Sequence, residues 1–103
     1  MSKFDEFINI LESTEIMRQL RINLQEEMVR LLGVICRDYQ NTGKATPDHC
    51  LHLAGYVAET ALKSLLSAGM IKQQSGGRLA IYSYEPTKKG LEQYQRLKAK
   101  GCY

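Results

Sequence analysis

The chain has 103 residues, a length that suits one domain with a modest hydrophobic core. Its 44% hydrophobic and 24% charged residues exclude an intrinsically disordered chain. The formal net charge of +3 is mildly basic, which is compatible with a polyanionic partner.

The N-terminal arm, residues 1–22, carries two apolar stripes at helical spacing. Ser2 and Asp5 have capping spacing before the first stripe, and Ser13-Thr14 offers an N-cap to the second. We therefore predict one helix over 3–11 and another that ends near residue 22. The stripes consist of Phe4, Phe7, Ile8, Leu11, Ile16, Met17 and Leu20. Because so many exposed apolar side chains would promote aggregation, the arm is predicted to form a homodimer about a two-fold axis. Folding of the arm back onto its own domain is the alternative.

The charges are unevenly distributed along the chain. Residues 1–27 hold three basic and six acidic side chains, whereas residues 28–103 hold eleven basic and five acidic ones. The resulting charges of −3 and +6 predict an arm that packs on protein and a body that can approach phosphate. Chance segregation of solvated charges would produce the same distribution.

A second unit, residues 23–103, is predicted to begin with a helix. Asn23 and Glu26 have capping-box spacing, which places the helix start there. One side of this helix is apolar as far as its predicted end near residue 39, with Leu24, Met28, Leu31, Leu32, Ile35 and Tyr39. Gly33 costs helix stability, so we expect either a close helix crossing or an incidental glycine at this position. Residues 40–44 are predicted to form a loop.

A helix-turn-helix pattern follows over residues 46–68. Thr46 and Pro47 suit an N-cap and a first helical residue, and the helix they start is predicted to end near Leu53. Ala54-Gly55 is the predicted turn. The second helix, Tyr56–Ala68, has an apolar stripe at positions 57, 58, 61, 62, 65 and 66, and its other face is available to solvent or to a nucleic-acid groove.

A β-hairpin is predicted after this helix. Gly69 is placed to end the helix in the left-handed conformation. Strands are predicted over 70–74 and 79–84, around a tip of Ser75-Gly76-Gly77, because glycine supplies the positive φ of a tight turn. Tyr82 and Tyr84 share one strand face and are predicted to pack on the helices.

The last predicted helix follows Pro86, which lacks an N–H and ends the second strand. Thr87 is its predicted N-cap, and the helix is predicted to bury Leu91, Tyr94 and Leu97. The tail, residues 101–103, is predicted to be frayed.

Three local features of residues 24–98 carry a family resemblance. Leu62, Leu65 and Leu66 precede Ser67-Ala68-Gly69-Met70-Ile71, which is similar to a leucine-rich helix that ends in Gly-apolar-apolar. The run Tyr84-Glu85-Pro86-Thr87-Lys88-Lys89-Gly90 is similar to Tyr-x-Leu-Thr-x-x-Gly at the exit of a wing, with proline in place of leucine. The helix from Asn23 to Ile35 precedes both. In this order the features resemble winged-helix transcription regulators of bacteria and archaea, with the layout of the MarR-type group.

The resemblance implies a mainly α fold with a small β-hairpin. In this interpretation residues 23–103 form a winged helix-turn-helix domain, and residues 1–22 form an N-terminal helical dimerisation arm. It also implies sequence-specific binding of double-stranded DNA and regulation of transcription, with the second motif helix in the major groove and the wing on the DNA backbone. A small-molecule effector is left open.

The outward face of the second motif helix is the candidate for reading bases, because Thr60, Lys63 and Ser64 could contact base edges or phosphate. The hairpin and the start of the last helix supply further candidates for phosphate contacts. The predicted DNA-binding residues are Tyr56, Thr60, Lys63, Ser64, Lys72, Gln73, Gln74, Arg78, Lys88 and Lys89.

Each of these assignments has an alternative. The helix face holds one cation and one anion, Lys63 and Glu59, so it could be an ordinary solvated surface. The charged hairpin could serve only to block edge-to-edge pairing of strands. The alternative function is a winged-helix module for protein–protein interaction or assembly that does not bind DNA.

Other functional classes find little support in the sequence. No nucleotide-binding loop, dinucleotide fingerprint or hydrolase motif is present, so no enzyme activity and no cofactor are predicted. His49, Cys50 and His52 do not complete a tetrahedral metal site, and Cys50 is instead predicted to be a buried small apolar residue.

The predicted compartment is the cytoplasm. The three cysteines, Cys36, Cys50 and Cys102, are odd in number, which argues against a closed disulfide framework. Neither a signal peptide nor a membrane-spanning run is visible in the sequence, so no membrane association is predicted.

Overall fold

A 28-residue helix, α1 (Glu15–Thr42), is the longest element of the computed structural model, which describes residues 15–77 and 80–103. The predicted helix start at Asn23 is wrong, because α1 passes through this residue without interruption. The Asn23 side-chain oxygen accepts a hydrogen bond from Gln19 Nε2 at 3.0 Å, so it serves a contact along the helix surface. The helix also continues beyond Tyr39, its predicted end. The helix predicted over 3–11 and the N-cap Ser13-Thr14 lie outside the described residues.

The first helix of the predicted helix-turn-helix is largely replaced by other structure. Thr46 and Pro47 form a short strand, β1 (Thr46–Pro47), and only a single 3-10 turn (Asp48–Leu51) follows. The prediction that Thr46 caps a helix ending near Leu53 is therefore wrong. Thr46 is buried, pairs with Tyr84 and donates its hydroxyl proton to Asp38 Oδ2 at 3.2 Å, so strand pairing outweighs its preference for an N-cap.

Helix α2 (Gly55–Ser67) matches the predicted second motif helix closely, and Gly69 follows it with a φ of 73°, as predicted. Its inward side and the middle of α1 form the centre of the hydrophobic core. The buried apolar residues of this core are Leu31, Leu32, Ile35, Cys36, Leu51, Ala61, Leu62, Leu65, Ile71, Tyr84 and Tyr94. Arg30 Nη2 donates to the carbonyl oxygen of Leu51 at 3.0 Å, which holds the 3-10 turn against α1.

The predicted hairpin is confirmed as β2 (Ile71–Ser75) and β3 (Tyr82–Pro86), both displaced slightly toward the C-terminus. The two strands pair antiparallel from Ile71 opposite Pro86 to Ser75 opposite Tyr82, and β1 joins the other edge of β3. The sheet order is therefore β1-β3-β2. The described part of the chain is mainly helical with a small three-stranded antiparallel sheet, as the sequence predicted in outline.

Helix α3 (Lys88–Ala99) begins at the predicted N-cap. The Thr87 hydroxyl oxygen accepts a hydrogen bond from the Gly90 N–H at 3.1 Å. The same hydroxyl donates to the Gly69 carbonyl oxygen at 2.5 Å, and the Thr87 N–H donates to the Met70 carbonyl oxygen at 3.0 Å. Thr87 thus joins the start of α3 to the segment that links α2 to β2.

We expect replacement of Thr87 by alanine to lower the free energy of unfolding by about 1–2 kcal/mol, because the N-cap bond and the bond to Gly69 are both lost. Thr87→Ser keeps the hydroxyl group and is expected to cost less than about 0.5 kcal/mol. Urea unfolding followed by circular dichroism measures both changes. Equal stability of the alanine and serine variants would contradict a capping role for this hydroxyl.

The tail is ordered in the structure, so the prediction that residues 101–103 are frayed is wrong. The Tyr103 hydroxyl donates to the Val29 carbonyl oxygen at 2.6 Å, and its ring lies 4.9 Å from the Tyr94 ring. An added Cβ on Gly33 would meet Tyr103 Cε1 at 2.3 Å. The glycine within α1 therefore admits an aromatic ring from the tail, not a crossing helix.

Candidate nucleic-acid interface

The outward face of α2 is uncovered by the described part of the chain. Ala58, Ala61, Leu62 and Leu65 bury the opposite face, which fixes the rotation of the helix about its axis. The side chain of Tyr56 is 74% exposed at the start of the helix. Lys63 is also exposed.

The two smaller candidates on this helix are half-buried, and they contact each other. The Ser64 hydroxyl donates to the Thr60 carbonyl oxygen at 2.8 Å, so its proton is engaged within the helix. Ser64 can still accept a hydrogen bond through its oxygen. Thr60 keeps its own hydroxyl as a further polar group on this face.

The hairpin presents the predicted polar side chains to solvent. Lys72, Gln73 and Gln74 are all exposed on β2. Lys72 Nζ lies 3.0 Å from Glu85 Oε1 across the strand pair, which partly neutralises its charge. Arg78 lies outside the described residues.

The far end of the hairpin lies beside the segment that leads into α2. The Tyr82 N–H donates to Asp48 Oδ2 at 3.4 Å, and Asp48 opens the 3-10 turn before α2. This contact places the exposed residues His49 and His52, which follow Asp48, at the end of the molecule where the hairpin tip lies. The sequence interpretation did not include these two histidines in the interface, because no local pattern links residue 48 to a partner 34 positions away.

Tyr82 and Tyr84 differ in their environment although they share a strand face. Tyr84 is buried, as predicted. Its burial raises the pKa of its hydroxyl, and the negative charge of Asp48 raises this pKa further. Tyr82 is 45% exposed, so the prediction that it packs on the helices is wrong. It lies near the hairpin tip, beyond the helices that cover Tyr84.

Lys88 and Lys89 begin α3, as predicted, but they lie near the opposite end of α2 from Tyr56. Lys89 Nζ donates to the carbonyl oxygen of Ala68, just after the last turn of α2, at 3.0 Å. A cation at this position also interacts favourably with the helix dipole of α2. Lys89 therefore has a structural contact here, and the predicted DNA-binding residues divide between the two ends of α2.

The cysteines occupy different environments. Cys36 is fully buried, and burial raises its pKa to about 12, so its thiol is unreactive at neutral pH. Cys50 is exposed, which contradicts the prediction of a buried residue. The 3-10 turn directs Leu51, the next residue, into the core in its place.

The arm residues that the structure describes belong to the first turns of α1. Ile16 is 74% exposed, and Met17 and Leu20 are half-buried. The other predicted dimerisation residues, Phe4, Phe7, Ile8 and Leu11, lie outside the described residues.

Comparisons with protein-family models, curated proteins and solved structures gave no match. The resemblance to winged-helix regulators therefore stays a prediction. Within residues 15–77 and 80–103, none of the helices combines the length and apolar character that a membrane span requires.

Proposed function

We propose that the chain is a cytoplasmic winged helix-turn-helix protein that binds double-stranded DNA as a homodimer and regulates transcription. The observation that carries this proposal is the outward face of α2, which residues 15–77 and 80–103 leave uncovered while the opposite face anchors the helix in the core. A rigid helix with one free polar face is the element that such proteins insert into the major groove.

Base contacts in this proposal come from the first nine residues of α2, up to Lys63. Tyr56 projects at its start, and Thr60 follows one turn later on the same face. Lys63 lies one further turn along, where its flexible side chain reaches either a guanine edge or a phosphate.

The hairpin contributes contacts to the DNA backbone in the same proposal. Gln73 and Gln74 are exposed amides that can donate to phosphate oxygens, and Arg78 is predicted near the tip. The bond between Tyr82 and Asp48 supports this arrangement, because it holds the distal part of the hairpin beside the segment that precedes α2. His49 and His52 join the proposed interface for that reason, whereas Lys88 and Lys89 are secondary candidates for phosphate contacts.

Two copies would present two α2 helices to successive major grooves. The exposed apolar surface of Ile16, with Met17 and Leu20 beside it, supports association through the arm.

A protein-binding role for the same face is the second candidate function. Tyr56 is a largely exposed aromatic residue, and aromatic side chains are often dominant in protein interfaces. Glu59 and Lys63 cancel in charge, so this face lacks the excess positive charge that favours DNA.

Fluorescence anisotropy with labelled duplexes at several salt concentrations tests the DNA proposal. We expect binding in the micromolar range at low salt, with an affinity that falls as salt increases. Lys63→Ala is expected to weaken binding by roughly tenfold and to reduce the salt slope by about 1, because one phosphate or base contact is lost.

Lys98→Ala is the matched control, since it removes an exposed lysine from α3 without touching α2. It should leave the affinity within about twofold of the unchanged protein. Failure of the unchanged protein to bind any duplex at low salt would refute the proposal. Equal effects of the two substitutions would refute the role of α2.

A further inference from the structure

An apolar groove runs between α1 and α3, outside the proposed DNA-binding surface. It consists of two adjoining cavities of about 210 and 420 Å³, which share Gln25, Val29 and Leu97 in their walls. Met28 and Met70 line the inner cavity, and Ile22 lines the outer one. We name this surface the α1–α3 groove. Its floor and walls offer mostly apolar atoms, so it fits an apolar occupant.

The rim of the groove on α3 is basic. Gln93 and Leu97 line the groove. Arg96 lies three residues after Gln93 on the same side of α3, and Lys100, the C-cap of this helix, lies three residues after Leu97. Both basic residues are exposed. An occupant with apolar side chains would therefore match the lining of the groove, and its carboxylates would match the basic rim on α3 if they lie away from Glu26, which lines the outer cavity on α1.

The N-terminal segment of this chain has this composition. Residues 4–11 contain four large apolar side chains at helical spacing, Phe4, Phe7, Ile8 and Leu11. Asp5, Glu6 and Glu12 accompany them against the single basic residue Lys3, so residues 1–14 carry a net charge of −2.

The length of this segment disfavours binding to the groove of its own chain. The part of α1 that lines the groove extends from Ile22 to Leu32, which lies about 10–26 Å along the helix from Glu15. A helix over 3–11 that turned back at residues 12–14 would cover only about 13 Å along α1. It would end near Gln25 and leave most of the inner cavity empty.

The orientation of the segment leads to the same conclusion. A helix that turned back would pack on the apolar stripe of Met17, Leu20 and Leu24, which continues the core side of α1. The outer part of the groove, defined by Ile22 and Val29, lies about 140° away around the helix, so such a segment would approach only the edge of the inner cavity formed by Met28 and Leu32. A segment from another molecule is limited neither by this short reach along α1 nor by the side of α1 on which a helix that turns back would pack.

We propose that the α1–α3 groove binds the N-terminal segment of a second copy of this chain, with Phe4, Phe7, Ile8 and Leu11 in the groove and the acidic residues toward Arg96 and Lys100. This inference depends on the proposed homodimer and specifies its contact surface. Each copy supplies one segment and one groove, so the exchange is reciprocal and closes as a two-fold dimer.

Cross-linking tests the proposal, because Cys102 lies in the wall of the outer cavity and is exposed. The protein for this test is the full chain with Cys50→Ser and Ile8→Cys, treated with a short bismaleimide. Cys36 does not interfere, because it is buried. We expect a covalent dimer that joins residue 8 of one copy to Cys102 of the other, identified by mass spectrometry of the linked peptides.

Asn9→Cys in the same Cys50→Ser background is the matched control, since residue 9 is uncharged and lies on the side of the predicted helix opposite to Phe4 and Phe7. It should cross-link at least about fivefold more slowly. A link within one molecule would overturn the second-copy assignment. Equal rates for the two variants, or no link to Cys102, would overturn docking in the groove.

Sedimentation equilibrium of the full chain separates this inference from the homodimer on which it depends. A monomer at all concentrations would refute both, whereas a dimer without the link to Cys102 would refute only the groove.

Ile22→Asp places a charge in the groove at a partly exposed site and is expected to raise the dimer dissociation constant by about tenfold or more. Gln40→Asp, exposed near the other end of α1, is the control and should leave the constant unchanged. Equal constants for the two variants would count against the groove.

Discussion

Replacement of Gly90 by alanine is expected to destabilise the protein by about 3 kcal/mol or more. An added Cβ at this position would lie 1.9 Å from the Met70 carbonyl oxygen, far inside the 3.0 Å that real Cβ contacts respect. The start of α3 would have to move by about 1 Å against a close-packed body. This movement would disturb both hydrogen bonds that Thr87 makes to the segment before β2.

The sign of this effect distinguishes tertiary packing from helix propensity. Gly90 lies in the first turn of α3, where propensity alone favours alanine over glycine by up to about 1 kcal/mol. Urea unfolding measures the change. Glu92→Ala, at an exposed position in the same helix, is the control and should change stability by less than about 0.5 kcal/mol. A Gly90→Ala protein as stable as the original would show that α3 does not approach Met70 this closely.

Replacement of Ile35 by alanine is expected to cost about 2–5 kcal/mol. The Ile35 side chain is 0% exposed and lies in the core where α1 meets α2 and α3. Its truncation would remove apolar contacts and leave a cavity that this backbone can only partly close. The midpoint of thermal or urea unfolding should fall accordingly, with a cooperative transition if the fold persists.

Ile16→Ala gives the matched comparison, because the same side chain is truncated on the same helix at a position that is 74% exposed. At protein concentrations where the chain is monomeric, we expect a change below about 0.5 kcal/mol. Similar losses for the two variants would contradict the position of the core. A loss at Ile16 that grows with protein concentration would instead support association through the arm.

Local chemistry predicted the later elements of the fold well. Thr87 caps α3, Gly69 ends α2 and Pro86 ends β3, since each residue satisfies a requirement of the backbone at its own position. The apolar stripe of α2 likewise predicted which side faces the core.

The errors arose where distant contacts outweigh local preference. Thr46 and Pro47 suit a helix start, yet pairing of Thr46 with Tyr84 makes them a strand. Asn23 suits an N-cap, yet α1 continues through it. Tyr103 looked like part of a frayed tail, because nothing near residue 103 in the sequence indicates that Gly33 leaves space for its ring.

Some features of the candidate interface could likewise be predicted from local sequence, whereas others depend on distant contacts. The outward face of α2 followed from the periodicity of its apolar residues. The contact of Lys89 with Ala68 and the approach of the hairpin to Asp48 depend on how the sheet lies against the helices, so sequence spacing could not predict them.

Helix α1 is continuous, so the exposed residue Ile16 and the core residues from Leu31 onward belong to one helix about 42 Å long. Every added or deleted residue between Ile16 and Leu31 would rotate one part against the other by about 100°. Two copies joined through their N-terminal arms would therefore hold their α2 helices at a separation and relative rotation that depend on the number of residues in α1.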